Sequence, residues 1–107
     1  MKIYLTQNYA KYLESKNQIK ECLELLEGMC EKLDYDNLIV GLCLQYNLKH
    51  QDYQNGIESG IKIYEKALKR FEGQQPGNEQ LICIKFYKQF LRTHCMEIGL
   101  IRKLESL

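Results

Sequence analysis

Apolar residues recur along this chain at every third or fourth position, with Lys, Glu and Gln between them, and no segment alternates cleanly with period two. That pattern predicts helices and no sheet. A first helix covers residues 3–14, with Leu5, Tyr9, Tyr12 and Leu13 on one side. Polar residues 14–18 make a short turn, in which Asn17 is placed to cap the next helix. The second helix covers about 18–33 and carries Ile19, Cys22, Leu23, Leu26, Met29, Cys30 and Leu33 on one face. Glu21, Glu24, Glu27 and Glu31 line the other.

The third helix, about 37–49, begins at Asp34 or Asp36 and is apolar nearly all round: Leu38, Ile39, Val40, Leu42, Cys43, Leu44, Tyr46 and Leu48. A helix without a polar face must be covered on most sides, which places this one at the centre of the fold. Residues 49–56 read as a polar loop or frayed helix start, with Asp52 as the N-cap of a fourth helix that runs to about Phe71. Gly73, Pro76 and Gly77 are the strongest breakers in the chain. Beyond them Leu81, Ile82, Phe86, Phe90, Ile98 and Ile101 keep a helical period. Residues 78–105 are read as one long helix, with 92–94 as the alternative place for a turn.

Short connections make sequential helices antiparallel neighbours, so the chain predicts one hairpin over 3–34 and another over 36–72. Laid over each other, the hairpins match. Tyr9-Ala10 followed by Leu13 corresponds to Leu42-Cys43 followed by Tyr46, and Cys22, Leu26 and Met29 correspond to Gly60, Tyr64 and Ala67. The offset is larger in the second helices than in the first, so the extra residues fall to the second turn, around 50–56.

This spacing resembles the tetratricopeptide repeat, with a large-small pair then an aromatic in one helix and small-x3-aromatic then small in the next. The stretch GIKIYEKALKRF looks like the second helix of such a repeat, and NYAKYLESKNQIKECLELLEGM follows the pattern across a whole unit. The match is degenerate: Thr6 and Ile39 stand where an aromatic usually opens a unit, and Asp34 and Glu72 where Pro often closes it. It covers about residues 3–72 and does not extend over 78–107. The fold expected is a single all-α domain over 1–107, two antiparallel helical hairpins stacked as a short superhelix with a long C-terminal capping helix.

The resemblance implies a non-catalytic protein- or peptide-binding module, working as adaptor, chaperone-like binder or regulator. It places Tyr4, Gln7, Lys11 and Glu14 on the concave surface, with Asn37, Val40, Leu44 and Asn47 from the second hairpin. The competing expectation is that the last helix folds across that groove and covers Val40 and Leu44. An alternative architecture is a compact antiparallel bundle of the bacteriocin-immunity type, a small inhibitor that the chain resembles only in size and helix content.

Composition narrows the chemistry more than the partner. The chain has 107 residues, 45% hydrophobic and 27% charged, with a formal net charge of +1. That is globular composition, and it offers no bulk electrostatic argument for nucleic acid or an anionic membrane. Residues 1–53 hold 6 basic against 8 acidic side chains, and residues 54–107 hold 9 against 6, an asymmetry too small to decide a partner. The N-terminus lacks the continuous apolar run of a signal peptide, and LIVGLCL is too short to span a bilayer, so no membrane insertion is expected. Five Cys without short paired spacing fit a reducing, cytoplasmic location better than a disulfide framework.

Catalytic signals are absent. The chain has no Gly-rich phosphate loop, no Cys-x-x-Cys pair and only two His, 50 and 94, far apart in sequence, so no enzyme, cofactor or metal is expected. His94 lies on the apolar side of the last helix as a structural residue, and the glutamates of the second helix form a solvated face. The one further candidate is Lys85, Lys88 and Arg92, spaced i, i+3, i+7 opposite Phe86 and Phe90, a stripe fit for an acidic segment or a peptide carboxylate. Apolar surface left exposed on a short array can be covered by a foreign protein or by a second copy.

Overall fold

The computed structural model describes residues 2–73 and 77–94. They form five α-helices: α1 Lys2–Ser15, α2 Ile19–Lys32, α3 Asn37–His50, α4 Tyr53–Lys69 and α5 Asn78–His94. No strand occurs among the described residues, and the fold is all-α. Helix α5 continues unbroken through residues 92–94, while residues 95–105 of the expected long helix lie outside the described residues. The packing divides into two compact units, with the boundary inside α4 between Ile63 and Tyr64.

In the first unit, α1 packs against α2, α2 against α3, and α1 also touches α3. The turns show why the chain reverses where it does. Asn17 adopts the left-handed conformation, φ 58°, and the Gln18 N–H returns to the Leu13 carbonyl at 2.9 Å. Asn17 therefore closes α1 rather than capping α2, whose N-cap is Gln18 without a side-chain bond. Its short polar side chain makes it one of the few non-glycine residues that tolerate that backbone region. Asp34 and Tyr35 are both left-handed, φ 54°, so the chain turns in the space of two residues, and the Tyr35 N–H bonds back to the Cys30 carbonyl at 2.7 Å. Asp36, not Asp34, starts α3, its Oδ1 accepting the Leu38 N–H at 2.9 Å.

The connection after α3 departs from the expected loop. Helix α3 persists to His50 and α4 begins at Tyr53, which leaves only Gln51 and Asp52 between them. The residues that the repeat alignment assigned to a longer turn have instead lengthened both helices. Asp52 does cap α4, its Oδ1 accepting the Asn55 N–H at 2.8 Å. Gly56 makes the tight reversal feasible: a Cβ there would lie 3.2 Å from the Asn47 carbonyl oxygen and 3.3 Å from Leu48 Cα. The close approach thus occurs in the first turn of α4.

The core of this unit is small and sulfur-rich. Ala10, Cys22, Leu26, Cys30, Ile39 and Cys43 are buried, and the thiols of Cys22 and Cys30 donate to the carbonyls of Ala10 and Ile39 at 3.5 and 3.8 Å. Helix α3 is the most enclosed element, with Ile39, Val40, Cys43, Leu44, Tyr46 and Asn47 all buried. In the second unit, Tyr64 and Ala67 at the end of α4 pack with Cys83, Tyr87, Phe90 and Leu91 of α5. Tyr64 stacks on Tyr87 with ring centroids 5.0 Å apart and meets Phe90 at 5.6 Å. Phe90 in turn contacts His94 at 5.0 Å, so His94 rests against the aromatic cluster.

Candidate functional site

The face of α1 turned inward is not the one that the hydrophobic spacing picks out. Thr6, Ala10 and Leu13 are buried, whereas Leu5, Tyr9 and Tyr12 stand 66%, 53% and 54% exposed, and Tyr4 66%. Of the expected apolar side, only Leu13 faces the core. The physical reason lies at Ala10, whose carbonyl receives the Cys22 thiol: helices that meet this closely need a small side chain at the crossing. Tyrosine hydroxyls also lose nothing by remaining in water.

The result is an outward row of Leu5, Tyr9 and Tyr12 at i, i+4 and i+7, which share one side of the helix. The Tyr9 and Tyr12 ring centroids are 6.3 Å apart, and the Lys16 ammonium lies 5.8 Å from the Tyr12 ring. Such a face is apolar in the middle, basic at one end and built from side chains with few rotatable bonds.

The residues expected on a concave surface are not all available there. Tyr4 and Lys11 are exposed, and Gln7 and Asn37 are half-buried. Val40, Leu44 and Asn47 are 1%, 7% and 6% exposed and act as core. Asn47 is fully engaged: its amide nitrogen donates to the Cys43 carbonyl at 2.8 Å, and its amide oxygen accepts from Gln51. A surface built on these three is therefore corrected to interior packing, because they lie on the buried side of α3 with Ile39, Cys43 and Tyr46, while Leu38, Gly41, Gln45 and Lys49 make its exposed side. Lys85 and Arg92 are exposed on α5 and Lys88 is half-buried. On the opposite side of α5 Phe90 is buried, whereas Phe86 is 43% exposed rather than packed.

One polar cluster was not anticipated from the sequence. Glu14, near the C-terminal end of α1, pairs with both Lys49, at 2.9 Å, and His50 at the C-terminal end of α3. Hydrogen bonding to Lys49, then to His50, holds the Glu14 carboxyl below its ordinary range, and Glu14 raises Lys49 in turn. A carboxylate at a helix C-terminus opposes the helix dipole, and the Lys49 ammonium offsets that. Because α2 reverses between them, α1 and α3 run side by side in the same direction, tied at their C-terminal ends. Sequence spacing could not reveal a pairing 35 and 36 residues apart; an isolated Glu at the end of a helix without a basic last turn was the only hint.

No group of three or more metal-binding side chains occurs among the described residues, and no helix there is long and apolar enough to cross a membrane. Compared with family models, curated proteins and solved structures, the chain matches none.

Proposed function

We propose that this protein is a non-catalytic protein- or peptide-binding module on a tetratricopeptide-like helical-hairpin scaffold. The observation that carries the reading is the exposed Leu5, Tyr9 and Tyr12 row of α1. Three large apolar or aromatic side chains in one row, on a helix whose other face is packed, form the kind of surface that protein partners cover. The scaffold reading is supported by the parallel course of α1 and α3, the opening helices of the two expected hairpins. It is supported also by the matched burial of Ala10 with Cys43 and of Leu13 with Tyr46.

The partner fitting this row is an amphipathic segment that lays apolar side chains between Leu5 and Tyr12 and an acidic group near Lys16. The test is capture by the immobilised full chain followed by mass spectrometry, with Tyr9→Ser/Tyr12→Ser as comparison. Loss of a reproducible partner in that variant supports the module. An identical captured set with both proteins removes the α1 row from the reading.

A further inference from the structure

Two helices carry opposite charges in the same register. On α2, Glu24, Glu27 and Glu31 stand at i, i+3 and i+7, all exposed. On α5, Lys85, Lys88 and Arg92 stand at i, i+3 and i+7, with Lys85 and Arg92 exposed. In each row the outer charges are seven residues apart, about 10.5 Å along the helix axis. Among the described residues, Glu24, Glu31, Lys85 and Arg92 have no ion-pair partner.

Each row also adjoins something that the fold itself leaves unused. On the cationic stripe itself, one turn before Lys85, Leu81 is exposed. Within the acidic face lies Gly28, one turn after Glu24 and three residues before Glu31. Glycine weakens a helix interior relative to alanine. Neither a positive φ nor a crowded neighbour requires it here, since a Cβ on Gly28 would meet nothing within 4 Å. The helix surface is thus lowest in the middle of its acidic row.

We propose that these faces are the two halves of one self-association interface: the Lys85, Lys88 and Arg92 face of one copy docks on the Glu24, Glu27 and Glu31 face of a second, over the low helix surface at Gly28. A second copy is favoured over a foreign acidic segment because the chain itself carries the complementary row at the same spacing. Its net charge of +1 also leaves little long-range repulsion between copies. The contact joins unlike faces, so it closes as a reciprocal dimer or extends as a chain of copies. The α1 row takes no part in it, and the two proposals fail independently.

The test is sedimentation velocity of the full chain across protein and salt concentrations. Wild type is expected to associate at low salt and to dissociate as salt rises. Lys85→Glu/Arg92→Glu and Glu24→Lys/Glu31→Lys each weaken self-association by roughly tenfold or more, and their equimolar mixture restores it as a heteromeric species. Gly28→Leu, which raises the helix surface in the middle of the acidic row while favouring the helix, weakens association without loss of helical circular dichroism. A wild type that stays monomeric throughout overturns the proposal. So does a mixture that associates no better than either charge-reversed variant alone, with both shown to be helical.

Discussion

The interface among α1, α2 and α3 is built from small and sulfur-bearing side chains, whereas that between the end of α4 and α5 is built from rings. In the first, Ala10 and Cys22, or Cys30 and Ile39, bring a thiol onto a backbone carbonyl. Adhesion there comes from many short contacts between helices held close, and a polar clamp at Glu14 is added at the rim. In the second, Tyr64, Tyr87 and Phe90 fill the space between helices with a few large faces. Two routes to helix packing coexist in one short chain, and they differ in what each tolerates. Closely approached backbones resist added atoms; ring stacks resist their removal and resist ionisation.

The sharpest way to break that contrast is Tyr87→Ala. Tyr87 is almost fully buried against Tyr64, and its truncation should cost about 3–5 kcal/mol, read as a lowered midpoint in urea unfolding. A loss below about 1 kcal/mol would mean that the stack carries little of the packing.

Next in size is an alkaline effect. Burial pushes the Tyr64 hydroxyl up to about 12 from its ordinary 10. The neutral form is then favoured by folding, so this contribution is complete below pH 10 and is lost as pH rises toward 12, at most about 2–3 kcal/mol. Thermal melts of wild type and Tyr64→Phe between pH 8 and about 11 should diverge, with only the wild type losing this share of its stability. Parallel pH profiles would sink the argument.

The two helical glycines offer a paired test. Gly56→Ala places a methyl group 3.2 and 3.3 Å from backbone atoms of Asn47 and Leu48, which must shift to admit it, and should destabilise by about 1–3 kcal/mol. Gly28→Ala meets open space and should stabilise by up to about 1 kcal/mol. Unfolding curves that move in the same direction for both would show that the approach of α4 to α3 is looser than the backbone distances imply.

The smallest effect belongs to the clamp. Glu14→Gln should lower the melting temperature slightly at neutral pH and low salt. Because the Glu14 pKa is depressed, its contribution is present above the ordinary carboxylate range and fades as pH falls through the lowered value. The difference between variant and wild type should therefore vanish in acid and at high salt. A deficit that persists in both would point to packing rather than charge.

Helix boundaries were legible because they are local. Apolar spacing, Asp36 and Asp52 as acceptors for the first free N–H groups, and breakers around Gly73 act over a few residues, and the observed helices follow them closely. The longer turn assigned near residues 50–56 was misread because polar composition there reflects capping and exposure, not loss of helix. The facing of α1 was misread for a different reason. Two arcs of that helix compete for the core, and total hydrophobicity favours Leu5, Tyr9 and Tyr12.

Composition and periodicity by themselves determined that this chain is all-helical, where its helices begin and how consecutive ones reverse. Only the tertiary structure decided which arc of α1 is outside, that Val40, Leu44 and Asn47 are interior, and that Glu14 meets Lys49 and His50. Those outcomes depend on how near two helix axes can come, which is set jointly by side chains distant in sequence, and Ala10 beneath Cys22 admits an approach that a tyrosine there would forbid.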